Sequence, residues 1–228
     1  MTDLIVPALS GLAAGFVHVF AGPDHLAAVA PLAVEQRQQH WRPGLNWGMG
    51  HTGGVLVVGL LALLFRELLP VELLSAWGER LVGVVLIGIG LWGARRAASL
   101  TVHVHEHTHD GVHHAHVHAH GAAAPHPPAA PHPHAHTRAA FAVGVLHGLA
   151  GSSHLLGVLP ALAFATRAAS VTYLAAFGVA TIGAMTGFAG LLGLFAERAR
   201  AGGAPLYRRV LYACSVAAII VGIAWLVM

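Results

Sequence analysis

Lysine is absent from this chain, and the charge that remains is sparse: 12 arginines and 9 acidic residues, 9% of the 228 positions. A soluble domain carries about a quarter charged residues, so a solvated globular surface is excluded. With 56% hydrophobic residues and a mean hydropathy of +0.69, the composition is that of a membrane protein. A net charge of +3, spread along the chain, offers no nucleic-acid-binding surface. The single cysteine, Cys214, excludes an intramolecular disulfide framework and reads as a packing residue in its apolar run. The first residues, MTDLIVPALSGL, lack a basic n-region, so they read as a retained helix and not as a cleaved signal peptide.

What is present in quantity is apolar length. A bilayer core needs about 20 mostly apolar residues per helix. Six segments meet that need, at 4–33, 46–65, 74–94, 139–165, 171–195 and 207–227. The first and fourth exceed one span, and each carries a small-residue break, Gly22-Pro23 and Gly151-Ser152-Ser153. Freed backbone at the midplane is tolerated only around a cavity. Arg66, Arg80 and Arg167 fall on one side of this arrangement. Arg37, Arg42, Arg95, Arg96, Arg138, Arg198, Arg200, Arg208 and Arg209 fall on the other. The positive-inside rule makes the second side cytoplasmic, with both termini outside. The location this implies is the inner (plasma) membrane of a bacterium.

The stretch GFVHVFAGPDHLAAVAPLA (15–33) places His18, Asp24 and His25 inside an apolar run. Ionisable groups in a span are costly and mark function by default. The same stretch aligns without gaps on GVLHGLAGSSHLLGVLPAL (144–162), pairing His18 with His147, Gly22 with Gly151, His25 with His154 and Asp24 with Ser153. WGMGHTGGV (47–55) likewise lies over FGVATIGAM (177–185), with His51 opposite Thr181. Two copies of three spans enter the membrane from opposite sides, the inverted-repeat plan of many secondary transporters. The fold expected is therefore an all-α integral membrane protein of six transmembrane helices in two inverted three-helix repeats. Helices 1 and 4 are interrupted, and the units are 1–96, a linker 97–137, and 138–228.

On an unbroken helix, His18 and His25 would be about 10 Å apart along the axis. Only a bend at Gly22-Pro23 lets them share an ion, and proline supplies it. Asp24 adds an anionic oxygen, and His51 is the third nitrogen donor. Imidazoles with one carboxylate and no thiolate suit Ni, Co or Zn better than Cu(I) or Mg. A lone membrane histidine often only hydrogen-bonds across a helix interface, the bland reading for His147 and His154. Trp41, Trp47, Trp77, Trp92 and Trp225 read as interfacial anchors, and most glycines as close-packing positions. The linker holds 13 of the 19 histidines in His-x-His, Pro-His and Ala-His alternation with no apolar face. It should be disordered and bind divalent transition metals loosely.

At these residues the chain resembles the nickel/cobalt transporter superfamily, which comprises NiCoT permeases, nickel/cobalt efflux proteins and short UreH-like urease-accessory membrane proteins. The family's His-x4-Asp-His helix corresponds to His18-x5-Asp24-His25, one residue longer, and its Gly-His-Ser/Thr segment to Gly50-His51-Thr52. GPDHLAAVAPLA and GVLHGLAGSSHL are most similar to the UreH-like branch. The resemblance implies a membrane transporter of divalent transition-metal ions and not an enzyme. It implies no prosthetic group, and a metal path through His18, Asp24, His25, His51, His147 and His154. The partners implied are the lipid bilayer and a cytoplasmic metallochaperone or nickel enzyme. The rivals are a non-transporting accessory protein and a membrane-embedded metalloenzyme; the spans contain no HExxH ligand pair to support the latter.

Overall fold

A computed structural model describes residues 4–65, 71–109, 112–121, 134–150 and 157–227. One hairpin apart, these residues are helical: α1 (Ile5–Ala21), α2 (Pro23–Glu35), α3 (Arg42–Phe65), α4 (Val71–Ala98), α5 (His134–Leu149), α6 (Arg167–Ala201) and α7 (Ala204–Val227). A short 3-10 helix, Leu159–Ala163, precedes α6. Among the described residues, three helices are long and apolar enough to cross a membrane, Trp77–Ala98 within α4 together with α6 and α7. The α1–α2 pair raises this to four when read as one bent span. Large apolar side chains point outward along them, Val171, Val179 and Leu191 among them, the reverse of a soluble surface.

The interruption expected in the first span is present. Proline disfavours helical backbone in the residue before it, and Gly22 is extended at φ −96°, ψ 99°. Pro23 then opens α2, a position where its missing N–H costs nothing. The two axes differ by 72°. In the expected fourth span, α5 stops at Leu149; the break at 151–153 and His154 lie outside the described residues.

Two described stretches of the linker differ from the disorder expected. Leu100–His109 (β1) and Val112–Gly121 (β2) pair as an antiparallel hairpin, in a register that sets His103 opposite His118, His105 opposite His116 and His107 opposite His114. Histidine at every second position, from 103 to 109 and from 114 to 120 with Val, Glu, Thr or Ala between, is strand periodicity, and backbone pairing needs no apolar core to satisfy it.

α2 is the central element. Ala27, Ala28, Val29, Leu32, Ala33 and Val34 are all buried, as for a helix packed on every side. Around it, α1 runs parallel to α6, with Gly11 on the Tyr173 carbonyl and Gly15 on that of Phe177. α3 runs parallel to α5, with Gly144 on the Trp47 carbonyl and Gly148 on that of His51. Small residues are what let such backbones approach. α4 and α7 are antiparallel, Gly83 meeting Gly222 and Gly90 meeting Ser215.

At one end, four helices are tied by a polar clamp. Arg200 donates to the Val34 carbonyl (2.6 Å) and to the Tyr207 hydroxyl (2.8 Å), which in turn donates to Glu35 Oε2 (2.7 Å). Arg96 closes the set on Glu35 Oε1 at 2.6 Å.

Candidate metal centre

The bend between α1 and α2 brings His18, near the end of the first helix, beside Asp24 and His25 in the first turn of the second. The His18 and His25 ring centroids are 4.6 Å apart, less than half the separation an unbroken helix would impose. Asp24 sits at the α2 N-terminus, where unpaired N–H groups favour an anion. α3 contributes His51, whose Nε2 is 3.2 Å from His18 Nε2. α5 contributes His147, whose Nε2 is 2.8 Å from Asp24 Oδ2. His25 Nδ1 lies 3.3 Å from both Asp24 Oδ1 and the Gly22 carbonyl. Asp24, His25, His51 and His147 are all buried, at 0–3% exposure, so the carboxylate depends on its histidine partners for stabilisation.

Two groups of donor atoms result. One nitrogen each from His18, His25 and His51 lie within 4.8 Å of one another, and so do single donor atoms of Asp24, His25 and His147. Metal–nitrogen bonds of about 2.1 Å at tetrahedral angles put donors about 3.4 Å apart, within reach of small side-chain adjustments. An open cleft of about 470 Å³ leads to this floor, bordered by Val17, His18, Pro160, Tyr173 and Trp225, with Asp24 and His25 at its base.

Five of the six sequence-predicted residues therefore meet at one place, and His154 lies outside the described residues. His147 is in direct contact with Asp24. Trp47, read above as an interfacial anchor, is fully buried instead. Its ring stacks on His51 (4.7 Å, 10°) and meets the edges of His25 (5.3 Å) and His147 (5.2 Å). The available signal was its place one helical turn before His51. Phe177, 5.3 Å from His18, was likewise passed over. Trp41 and Trp77 are exposed, as anchors should be.

A bent helix pair carrying a buried His/Asp cluster among long apolar helices is the plan of an integral membrane protein. Comparison with known proteins places it further. The chain is 30% identical over 199 residues to urease accessory protein UreH of Bacillus sp. (strain TB-90), covering 84% of this chain and 78% of that protein. It belongs to the UreH family. It is also 31% and 33% identical to the Arabidopsis thaliana chloroplast proteins FOR GROWTH AND FERTILITY 2 and FOR GROWTH AND FERTILITY 1, over 99% and 85% of its length. It spans 57% and 51% of those two proteins, about half of each. No family model and no solved structure matches the chain.

Proposed function

We propose that the chain is a membrane transporter of divalent transition-metal ions, nickel or cobalt first and zinc next, and that the His/Asp cluster holds the ion in transit. The observation that carries this is the cluster itself: four imidazoles and a carboxylate, nearly all buried, gathered at a helix break inside an apolar bundle. That donor set fits borderline ions. Metal binding requires deprotonated imidazoles, so protons exchange with the ion.

Two further features support six spans in two inverted repeats. In the alignment of the halves, Gly15 matches Gly144 and Trp47 matches Phe177. Spatially, Gly15 abuts the Phe177 carbonyl while Gly144 abuts that of Trp47, and His18 faces Phe177 as His147 faces Trp47. The arginine count supports a cytoplasmic face at the clamp. Under this reading the histidine-rich linker concentrates ions or hands them to a metallochaperone or a nickel enzyme.

The test is whole-cell accumulation of radiolabelled nickel, cobalt and zinc with the protein present and absent; its sign gives direction and its rank gives substrate. His25→Ala should abolish the difference, while deletion of 103–136 should only weaken it. Normal transport by the His25 variant sinks the site assignment. A second reading, a metal-binding accessory protein, is favoured by the name of the Bacillus relative. Proteoliposomes separate the two, because an accessory protein binds metal and moves none.

A further inference from the structure

The two donor groups share one residue, His25, and differ in everything else. The first is three imidazoles without a carboxylate; its His18 is half-buried on the wall of the open cleft, and its His51 is enclosed. The second contains the Asp24 carboxylate, buried at the base of the cleft, and the enclosed His147. Beyond His147, between α4 and α5, Val82, Val85, Leu86, Val143 and Leu146 enclose a gap too small for a water molecule. Inward from the half-exposed His18, the order is an all-imidazole group, a group holding the more deeply buried Asp24 at the cleft floor and His147 behind it, then an apolar seal.

Resting on the transport reading, we propose that these groups are two successive stations for one ion and that His25 passes it between them. The ion enters from the cleft onto His18, His25 and His51. It then moves to Asp24, His25 and His147, where the carboxylate adds the charge that the first station lacks. As the ion arrives, the Nε2 proton that His147 gives to Asp24 leaves by way of that carboxylate to the open cleft, and Nε2 turns to the ion. His25 Nδ1 already faces Asp24, so turning the ring about its Cβ–Cγ bond carries a donor nitrogen from one station to the other. The ring has that freedom because position 22 is glycine: a Cβ there would fall on the His25 imidazole. The apolar seal holds the ion at the second station until α4 and α5 part.

The order of the stations distinguishes this from a single shared centre. Full-length protein carrying His18→Gln or His147→Gln would be loaded with Co²⁺ and its d–d absorption compared with that of the parent and of His25→Ala. Glutamine at 147 keeps an N–H for Asp24 and at 18 keeps a polar group for His51, while both remove the ligating nitrogen, so the fold is spared. Metal on the linker histidines is common to all four proteins and cancels on subtracting the His25→Ala spectrum. Each glutamine variant should retain a bound Co²⁺, with the two spectra different. Flux in proteoliposomes should split as well. His18→Gln should raise KM about tenfold or more with the maximal rate kept, and His147→Gln should lower the maximal rate by a similar factor with KM kept. Matching spectra and matching kinetic effects in the two variants would overturn the two-station order while leaving transport intact. Distinct spectra in the two variants, with a parent that moves no ion, would instead remove the transport reading and keep the stations.

Discussion

A single methyl group at residue 22 decides whether the centre can form. Gly22 has a backbone conformation open to any residue, so alanine there costs nothing in dihedral strain. Its Cβ would nevertheless strike the His25 ring and crowd Asp24 Oδ1 at 2.8 Å. Gly22→Ala should therefore keep a near-parental unfolding temperature and lose the Co²⁺ absorption that His25→Ala also loses; full retention of that absorption would remove the steric argument. His18, Asp24, His25 and His51 were legible in the sequence because each is an expensive group in an apolar run, and Gly22-Pro23 announced the bend. The Asp24–His147 bond was not, since its partners are 123 positions apart and no local pattern specifies the pairing. Trp47 was misread for the same reason: its chemistry fits an interface as well as a buried platform, and only packing separates the two.

Among the elements, α2 carries the site, and its far end is held by the clamp. Helix C-terminal carbonyls have no partner within the helix, and Arg200 supplies one at Val34 while also bonding Tyr207. Arg200→Ala removes charge-assisted bonds from a partly enclosed setting, for which about 2–3 kcal/mol is expected. Arg96 is 43% exposed, and its ion pair with Glu35 is worth only about 0–1 kcal/mol. Thermal unfolding of the two variants in the same detergent should thus show a clear fall for Arg200→Ala and little change for Arg96→Ala. Equal shifts would mean that the clamp works as a charge cluster and not as a helix cap. At this scale the apolar lengths of α4, α6 and α7 and the first break were readable from hydropathy. The β1–β2 hairpin was not, because a histidine-rich tract without an apolar face carries strand alternation but no burial signal.

Taken whole, the molecule brings together at one end residues from three sequence-distant connections. Glu35 ends α2, Arg96 lies near the end of α4, and Arg200 with Tyr207 brackets the α6–α7 connection; His40 and Glu197, 3.1 Å apart, join the first and last of these again. Connections that share one end agree with the six alternating spans we propose. The sequence could count arginines, but it could not show that their segments touch. The orientation we propose puts this end in the cytoplasm, where arginine-rich connections are retained. In a Cys214→Ala background, Gln38→Cys reports on the clamp end and Ala168→Cys, at the start of α6, on the opposite end; both positions are exposed. A membrane-impermeant maleimide should label Ala168→Cys in intact cells and Gln38→Cys only after lysis. The reverse pattern would invert the orientation and move the histidine-rich linker outside while leaving the spans as they are. Labelling of both from the same side would break the six-span arrangement itself, because a straight α6 of 35 residues, about 52 Å long, could not then cross the bilayer once.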